Sequence, residues 1–84
     1  MNDRLALYYY GSCPFCVRVE RVIDELGLEV ERRNIRSNPD HLSDLVAVRK
    51  RSTVPVLRIT NDDGLDRWMP ESRDIIQYLR ETYG

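Results

Sequence analysis

Two cysteines stand three positions apart in the segment Gly11-Ser12-Cys13-Pro14-Phe15-Cys16, and the chain has no others. Thiols at this spacing can interconvert between a dithiol and a disulfide at the start of a helix. Pro14 suits a first helical position, because its missing N–H would have no partner there and its φ already fits a helix. Cys13 would then face the free amides and positive dipole of the helix N-terminus, which favour its thiolate. We therefore predict that Cys13 is a nucleophile and that Cys16, one turn further in and less exposed, resolves its mixed disulfides.

The composition favours one small domain in a reducing compartment. A chain of 84 residues buries only a modest core. Secreted chains of this size usually carry several disulfides, and the ring closed by residues 13 and 16 is too short to stabilise a fold much. The 13 basic and 14 acidic residues lack the basic excess of a general nucleic-acid binder. The first apolar run is too short for a signal-peptide core or a membrane span, so we predict a cytoplasmic protein that binds neither nucleic acid nor membrane.

Hydrophobic patterning predicts an α/β fold with the element order β-α-β-α-β-β-α. Apolar residues spaced three and four apart after Pro14 indicate an amphipathic helix that Gly27 ends. A helical crossover makes the first two strands parallel, and the turn over 61–64 makes the last two antiparallel. The result is a four-stranded mixed sheet flanked by three helices, with strands over 5–10, 28–35, 53–60 and 65–69 and helices over 14–26, from 39 to about 50, and from 70 onward. The residues expected to face inward are Leu42, Leu45, Val46 and the stem of Arg49 in the second helix, and Ile75, Ile76 and Leu79 in the last one.

Three features together resemble the glutaredoxin family, which has a thioredoxin-like fold. They are Cys-Pro-Phe-Cys at 13–16 after the first strand, Thr53-Val54-Pro55 at the third strand, and the element order over essentially the whole chain. A lone C-x-x-C is a weak signal, whereas its combination with T-V-P about forty residues later is a strong one. Thioredoxin itself is less similar, because it has Gly-Pro between its cysteines and a tryptophan before them. The resemblance implies that residues 1–84 form a single glutaredoxin-like domain.

The resemblance implies a glutathione-dependent thiol–disulfide oxidoreductase. Cys13 would attack protein disulfides or glutathione mixed disulfides, and either Cys16 or a second glutathione would release the adduct. Glutathione would be the co-substrate, and no metal or organic prosthetic group would be required. The implied partners are glutathione and proteins that carry disulfides or bound glutathione, and we expect a monomer that acts in redox homeostasis.

The resemblance also implies where glutathione lies. A cis Val54-Pro55 bond, next to Thr53, would present the backbone of Val54 to the cysteinyl part of glutathione like an added strand. Glu71 and Ser72 resemble the pair with which glutathione transferases hold the γ-glutamyl end, using helix amides, the serine hydroxyl and the glutamate.

The glycine carboxylate would need a cation, for which Arg51 or Arg49 is the nearest candidate in the sequence. Phe15, between the cysteines, would expose its ring to the partner. Many glutaredoxins have a lysine three residues before the nucleophile, where this chain has Tyr10, so Cys13 would depend more on the helix terminus.

Other interpretations of the same residues stay open. Glu71-Ser72 with the residues after it also resembles the N-terminal glutathione-binding domain of a transferase, although such proteins continue into a helical domain beyond this point. Some glutaredoxins instead carry an iron–sulfur cluster through the first cysteine and glutathione. A zinc site is less favoured, because only His41 could join the two thiols and a closed site needs about four ligands. The alternative without a chemical role is a pair of buried, unreactive thiols.

Overall fold

A computed structural model describes residues 3–84, and its elements follow the predicted order. The four-stranded mixed sheet and the thioredoxin-like α/β architecture are confirmed. The elements are β1 (Arg4–Tyr9), α1 (Pro14–Leu26), β2 (Glu31–Asn34), α2 (Pro39–Arg49), β3 (Val56–Thr60), β4 (Asp66–Met69) and α3 (Ser72–Tyr83).

The strands lie in the order β2-β1-β3-β4. β1 runs parallel to β2 and antiparallel to β3, which is antiparallel to β4. The ends of β1, β2 and β4 therefore meet the start of β3 at one edge of the sheet. We call this the thiol edge and define it by residues 10–13, 35–38, 53–55 and 70–72.

Alternation along β1 divides the core between the two faces of the sheet. Leu5 and Leu7 point to the side covered by α1 and α3, and Tyr8 points to the side covered by α2. Both faces of this strand are buried, as its unbroken apolar run predicts. The larger core comprises Leu5, Leu7, Val19, Val22, Ile23, Leu57, Ile59, Met69, Ile75 and Leu79, and the smaller one Tyr8, Ile35, Leu45 and Val56.

Local chemistry explains where two of the helices begin and end. Gly27 ends α1 at a left-handed φ of 65°, and its N–H and that of Leu28 donate to carbonyls of the last turn. The Asn38 side chain caps α2 by accepting the N–H of Asp40 at 3.0 Å. α2 ends at Arg49, because Lys50 turns to a φ of 58° and its N–H donates to the carbonyl of Val46 at 2.8 Å.

Several predicted boundaries are wrong, each for a physical reason. β2 does not begin at Leu28, since Leu28 is tied to the end of α1 and packs with Val30 on the larger core. β3 begins at Val56 rather than Thr53, because Pro55 has no N–H to donate to a ladder. α3 begins at Ser72, two residues later than predicted.

The inward face predicted for α2 is wrong at one position. Val46 is 40% exposed, and Leu45 is the buried residue of this helix. The apolar residues of α2 do not share one face, so the helix meets the sheet along a narrow line. In α3, Ile75 and Leu79 are buried as predicted, and Ile76 packs partly buried against the same core.

Within residues 3–84, no helix combines the length and the apolar character needed to cross a membrane.

Candidate active site

Cys13 lies at the N-terminus of α1, where the sequence places it. It is the N-cap residue, with an extended backbone and Pro14 next in the helix. Its carbonyl accepts the N–H of Val17 at 3.0 Å, and its own N–H donates to the carbonyl of Tyr10 at 3.3 Å. The side chain forms no cap hydrogen bond, so the sulfur does not occupy the amides of the first turn. Cys13 is 5% exposed and has a free thiol.

Cys16 lies one turn further along α1 and is fully buried. Burial raises the pKa of the Cys16 thiol to about 12, and the neighbouring Cys13 sulfur and Glu20 carboxylate act in the same direction. A backbone hydrogen bond with Tyr10 opposes this rise. Cys16 therefore holds its proton at neutral pH. The predicted order of exposure, with Cys16 the less accessible thiol, is confirmed.

The segment before β3 meets the thiol of Cys13. The Val54-Pro55 peptide bond is cis, as predicted. The thiol of Cys13 points to the carbonyl oxygen of Val54, which lies 4.0 Å from its Sγ. Pro55 is buried, Val54 is half-buried and Thr53 is exposed, so a backbone edge beside the sulfur borders solvent.

An open groove of about 710 Å³ lies between the first turns of α1 and α3. Glu71 is the N-cap of α3, and neither its carboxylate nor the first-turn amides have a capping partner in the helix. The ring of Phe15 is 54% exposed, and the guanidinium carbon of Arg18 lies 5.9 Å from its centroid. The groove is lined by Phe15, Arg18, Glu71, Ser72, Arg73, Asp74 and Ile76.

Neither Arg51 nor Arg49, the two candidate cations for the glycine carboxylate, lines this groove. Arg51 is exposed in the segment between α2 and β3, and within residues 3–84 it forms no ion pair. Arg49 ends α2 and is half-buried.

His41, the residue considered as a third metal ligand, lies on α2 with its ring edge-on to Tyr8 at 6.4 Å. The described part of the chain contains no cluster of three or more His, Cys, Asp or Glu side chains arranged to hold a metal ion.

Comparison with known families shows which family this chain belongs to. The family profile described as the glutathione S-transferase N-terminal domain matches residues 7–84. The chain belongs to this family. The resemblance to glutaredoxins is also confirmed, because Glutaredoxin 2 of Escherichia coli K12 is 29% identical over 80 residues. That match covers 95% of this chain and 34% of the relative, so the transferase-family domain spans about a third of the curated relatives' length.

Several solved structures of glutathione transferases and glutaredoxins are similar to this transferase-family domain. The Leishmania protein TDR1, a trimeric glutathione transferase, is 35% identical with a TM-score of 0.77, over 95% of this chain and 18% of that one. Glutaredoxin 2 of Salmonella typhimurium, solved in complex with glutathione, is 29% identical with a TM-score of 0.71, over 93% and 33%. Omega 1C of Trametes versicolor, at 22% identity and a TM-score of 0.79, is similar in fold.

Sequence reasoning missed one residue of the transferase-family domain at the thiol edge. The guanidinium carbon of Arg36 lies 3.9 Å from the centroid of the Tyr10 ring. Pairing of Tyr9 with Asn34 in the parallel β1–β2 ladder brings the residues after these strands side by side. The predicted crossover makes the two strands parallel, but neither their register nor this side-chain contact can be predicted from the sequence.

Proposed function

We propose that this domain is a glutathione-dependent thiol–disulfide oxidoreductase in which Cys13 is the nucleophile and Cys16 the resolving thiol. The observation that carries the proposal is the contrast between two free thiols one helical turn apart. One lies at the helix entrance beside the backbone of Val54 and is 5% exposed, and the other is fully buried with a raised pKa.

The chemistry is an exchange of sulfur–sulfur bonds. The Cys13 thiolate attacks the glutathione sulfur of a mixed disulfide, and the substrate sulfur leaves and takes a proton. A glutathione thiolate then attacks the bound glutathione sulfur, which releases glutathione disulfide and restores Cys13. One free glutathione is consumed in each cycle: it leaves together with the glutathione removed from the substrate as one molecule of glutathione disulfide, and the substrate is released as a thiol.

A protein disulfide follows a second route. The Cys13 thiolate attacks one sulfur of the partner disulfide, whose sulfur–sulfur bond breaks as the other partner sulfur leaves and takes a proton. Cys16 then attacks the Cys13 sulfur of this mixed disulfide, which forms the Cys13–Cys16 disulfide and releases the partner as a dithiol. Two glutathione molecules reduce the Cys13–Cys16 disulfide and leave as one glutathione disulfide. Cys16 must lose its proton before it attacks, which its burial makes costly. The first route does not require this thiol.

The contacts proposed for glutathione extend along the thiol edge. The backbone of Thr53 and Val54 would pair with its cysteinyl part beside Pro55. Ser72 and the first-turn amides of α3 would hold the γ-glutamyl carboxylate, and Glu71 would hold its ammonium group. Phe15 would contact the rest of the substrate, because its ring is exposed in the same groove. The predicted cation for the glycine carboxylate is Arg51 or Arg49.

The two routes are separated by replacing each cysteine. Cys13→Ser should reduce both activities by roughly 100-fold or more, because it removes the attacking sulfur. Cys16→Ser should keep the removal of glutathione from a mixed disulfide within about threefold of the parent and lose most reduction of protein disulfides. Both are measured as glutathione disulfide formed per unit time. An active Cys13→Ser variant with an inactive Cys16→Ser variant would reverse the two roles.

A second candidate function is conjugation of glutathione to an electrophile, which the family match and the likeness to TDR1 favour. Conjugation uses the glutathione thiol itself and consumes no disulfide. Rates measured with an aryl halide should therefore be insensitive to Cys16→Ser. Conjugation faster than disulfide exchange in the parent protein would favour the transferase function. The cytoplasmic location and the monomeric state stay predictions.

A further inference from the structure

An ion-paired cluster of Glu20, Asp24 and Arg32, called the Arg32 cluster below, joins α1 to β2 just beyond Cys16. The guanidinium of Arg32 donates to the carboxylates of Glu20 and Asp24, at 3.2 and 3.5 Å. Leu7 pairs with Arg32 in the β1–β2 ladder, so Arg32 lies on the sheet face that α1 covers. The Glu20 side chain is 25% exposed and is held against the protein by this ion pair.

Glu20 stands four residues after Cys16 on α1. Residues at this spacing are neighbours on one side of a helix, with Cβ atoms roughly 5 to 6 Å apart. Side chains of a helix lean toward its N-terminus, so that of Glu20 covers the turn that holds Cys16. Burial is the largest cause of the raised pKa of Cys16, and the Glu20 carboxylate adds to it. The Cys16 thiolate is therefore disfavoured by a carboxylate with a fixed position.

The Arg32 cluster leaves a negative charge beside Cys16, because it holds two carboxylates and one guanidinium. Arg21, the next cation on α1, is exposed and forms no ion pair within residues 3–84. The other groups that act on the Cys16 thiol are the Cys13 sulfur, which also disfavours the thiolate, and a backbone hydrogen bond with Tyr10, which favours it. Two charged residues of α3, which packs beside α1, line the groove between the first turns of these helices: Arg73 and Asp74.

A carboxylate can act on a buried thiol as a charge or as a proton acceptor, and the two actions have opposite consequences. Carboxylic acids ordinarily ionise near roughly pH 4, whereas the pKa of Cys16 is about 12. Transfer of the Cys16 proton to a carboxylate is therefore strongly unfavourable. The charge of Glu20 decides the outcome, and it makes attack by Cys16 slower.

We propose that Glu20 is a specificity-determining residue that acts through Cys16. Its charge slows resolution by Cys16 and so directs the glutathione adduct of Cys13 toward release by a second glutathione. The substrates that this favours are glutathione mixed disulfides rather than disulfides within proteins. The assignment rests on the proposed glutathione-dependent function.

The two competing steps break the same sulfur–sulfur bond. In the slowed step, the Cys16 proton goes to solvent, the Cys16 sulfur bonds to Cys13, and glutathione leaves and takes a proton. In the favoured step, a glutathione thiolate attacks the bound glutathione sulfur, glutathione disulfide leaves, and Cys13 recovers its thiolate. Only the slowed step requires the Cys16 thiolate.

The test follows a single turnover of the reduced full chain with dithiodipyridine, an uncharged disulfide. The Cys13 thiolate attacks one sulfur of the probe and releases a first pyridinethione, and Cys16 then attacks the Cys13 sulfur and releases a second. The rate of the first phase increases with probe concentration, whereas that of the second does not. Stopped-flow absorbance of the released pyridinethione therefore measures the two sulfurs separately.

The variants change the charge beside Cys16 in opposite directions. Glu20→Gln should raise the rate constant of the second phase about two- to fivefold, because more of the Cys16 thiol ionises although each thiolate is a weaker nucleophile. Arg32→Gln should slow this phase, because the Glu20 carboxylate is then unopposed. Glu25→Gln is the matched control, since Glu25 is also a glutamate of α1 paired with an arginine, Arg80 at 3.3 Å, but lies farther from Cys16. The control should keep the parent rate.

The pH dependence of the second phase separates charge from packing. Between pH 7 and 10, the curve for Glu20→Gln should lie at lower pH than that of the parent, and the curve for Arg32→Gln at higher pH. Each variant breaks the same ion pair. A role limited to joining α1 to β2 would therefore move both variants in the same direction.

Two results would overturn the assignment. The second phase of Glu20→Gln could be no faster than that of the parent, and a slower one would make Glu20 the proton acceptor of Cys16. Alternatively, Glu20→Gln and Arg32→Gln could shift in the same direction. Either result in a parent that removes glutathione from a mixed disulfide would refute the assignment alone. A parent that cannot remove glutathione from a mixed disulfide would refute the proposed function together with it.

Discussion

At the scale of residues, the two sulfurs differ in what surrounds them. Cys13 lies at the N-cap of α1 with the carbonyl of Val54 in front of it, and Cys16 is enclosed by the core. Burial favours the neutral form of an acid, which is why Cys16 keeps its proton. Cys13 lies at the helix entrance and Cys16 is fully enclosed, so an incoming disulfide meets the Cys13 sulfur first.

Because the Cys16 thiol is buried, the free energy of unfolding should change with pH in the alkaline range. The unfolded chain loses the Cys16 proton near its ordinary pKa of 9.0, whereas the folded chain keeps it until about 12. The folded state therefore binds more protons in this range, and the free energy of unfolding should fall as the pH rises from 9 to 12. Cys16→Ser should reduce this slope by at most about 1.4 kcal/mol per pH unit.

Urea unfolding of the reduced protein at several pH values between 8 and 11 measures this slope. Burial also raises the pKa of Tyr83 to about 12, so a smaller decline above pH 10 should remain in Cys16→Ser. Tyr83→Phe removes that second contribution and is the control. Identical slopes in the parent and in Cys16→Ser would show that the thiol is not kept protonated by the fold.

At the scale of elements, α1 connects the site to the core through its two ends. Cys13 is its N-cap, Cys16 lies in its first turn, and its last turn closes on Gly27 with a left-handed φ. A Cβ at Gly27 would meet no atom within 4 Å, so only backbone conformation opposes a side chain there. Because Leu28 is tied to the same turn, this end of the helix also sets the path into β2.

A pair of glycine substitutions tests this explanation of the helix end. Gly27→Ala should lower the free energy of unfolding by about 1 kcal/mol, because alanine is strained at positive φ. Gly11→Ala is the matched control: it also has open space for a Cβ, and its φ is not in the left-handed region. The control should be as stable as the parent or up to about 1 kcal/mol more stable. Urea unfolding of the three proteins would contradict this explanation if Gly27→Ala matched the parent.

Elements with strong local signals could be predicted from the sequence. The proline, the apolar spacing and Gly27 set the bounds of α1, which match the prediction. β2 could not be bounded in this way, because Leu28 and Val30 are apolar for packing against the larger core rather than for pairing. The exposure of Val46 depends on how little of the sheet α2 covers, which no local pattern records.

At the scale of the whole molecule, the strand order assembles the candidate site. Four segments distant in sequence meet at the thiol edge because β1 lies between β2 and β3. The meeting of Cys13 with Val54 could be anticipated from the family resemblance, since it uses residues that define the motif. The contact between Tyr10 and Arg36 could not, because it depends on the register of β1 and β2 and on a side-chain conformation.

The proposed function depends most on the reactivity of Cys13 toward glutathione disulfide in the folded chain. The direct measurement is the rate of mixed-disulfide formation at pH 7 in Cys16→Ser, compared with the same variant unfolded in urea, with the modified residue located by peptide mapping. We predict a single glutathione adduct on Cys13, formed roughly tenfold or more faster in the folded chain, because only the folded chain places this sulfur beside the Val54 backbone that is proposed to hold glutathione. A folded rate equal to or below the unfolded rate would contradict the account.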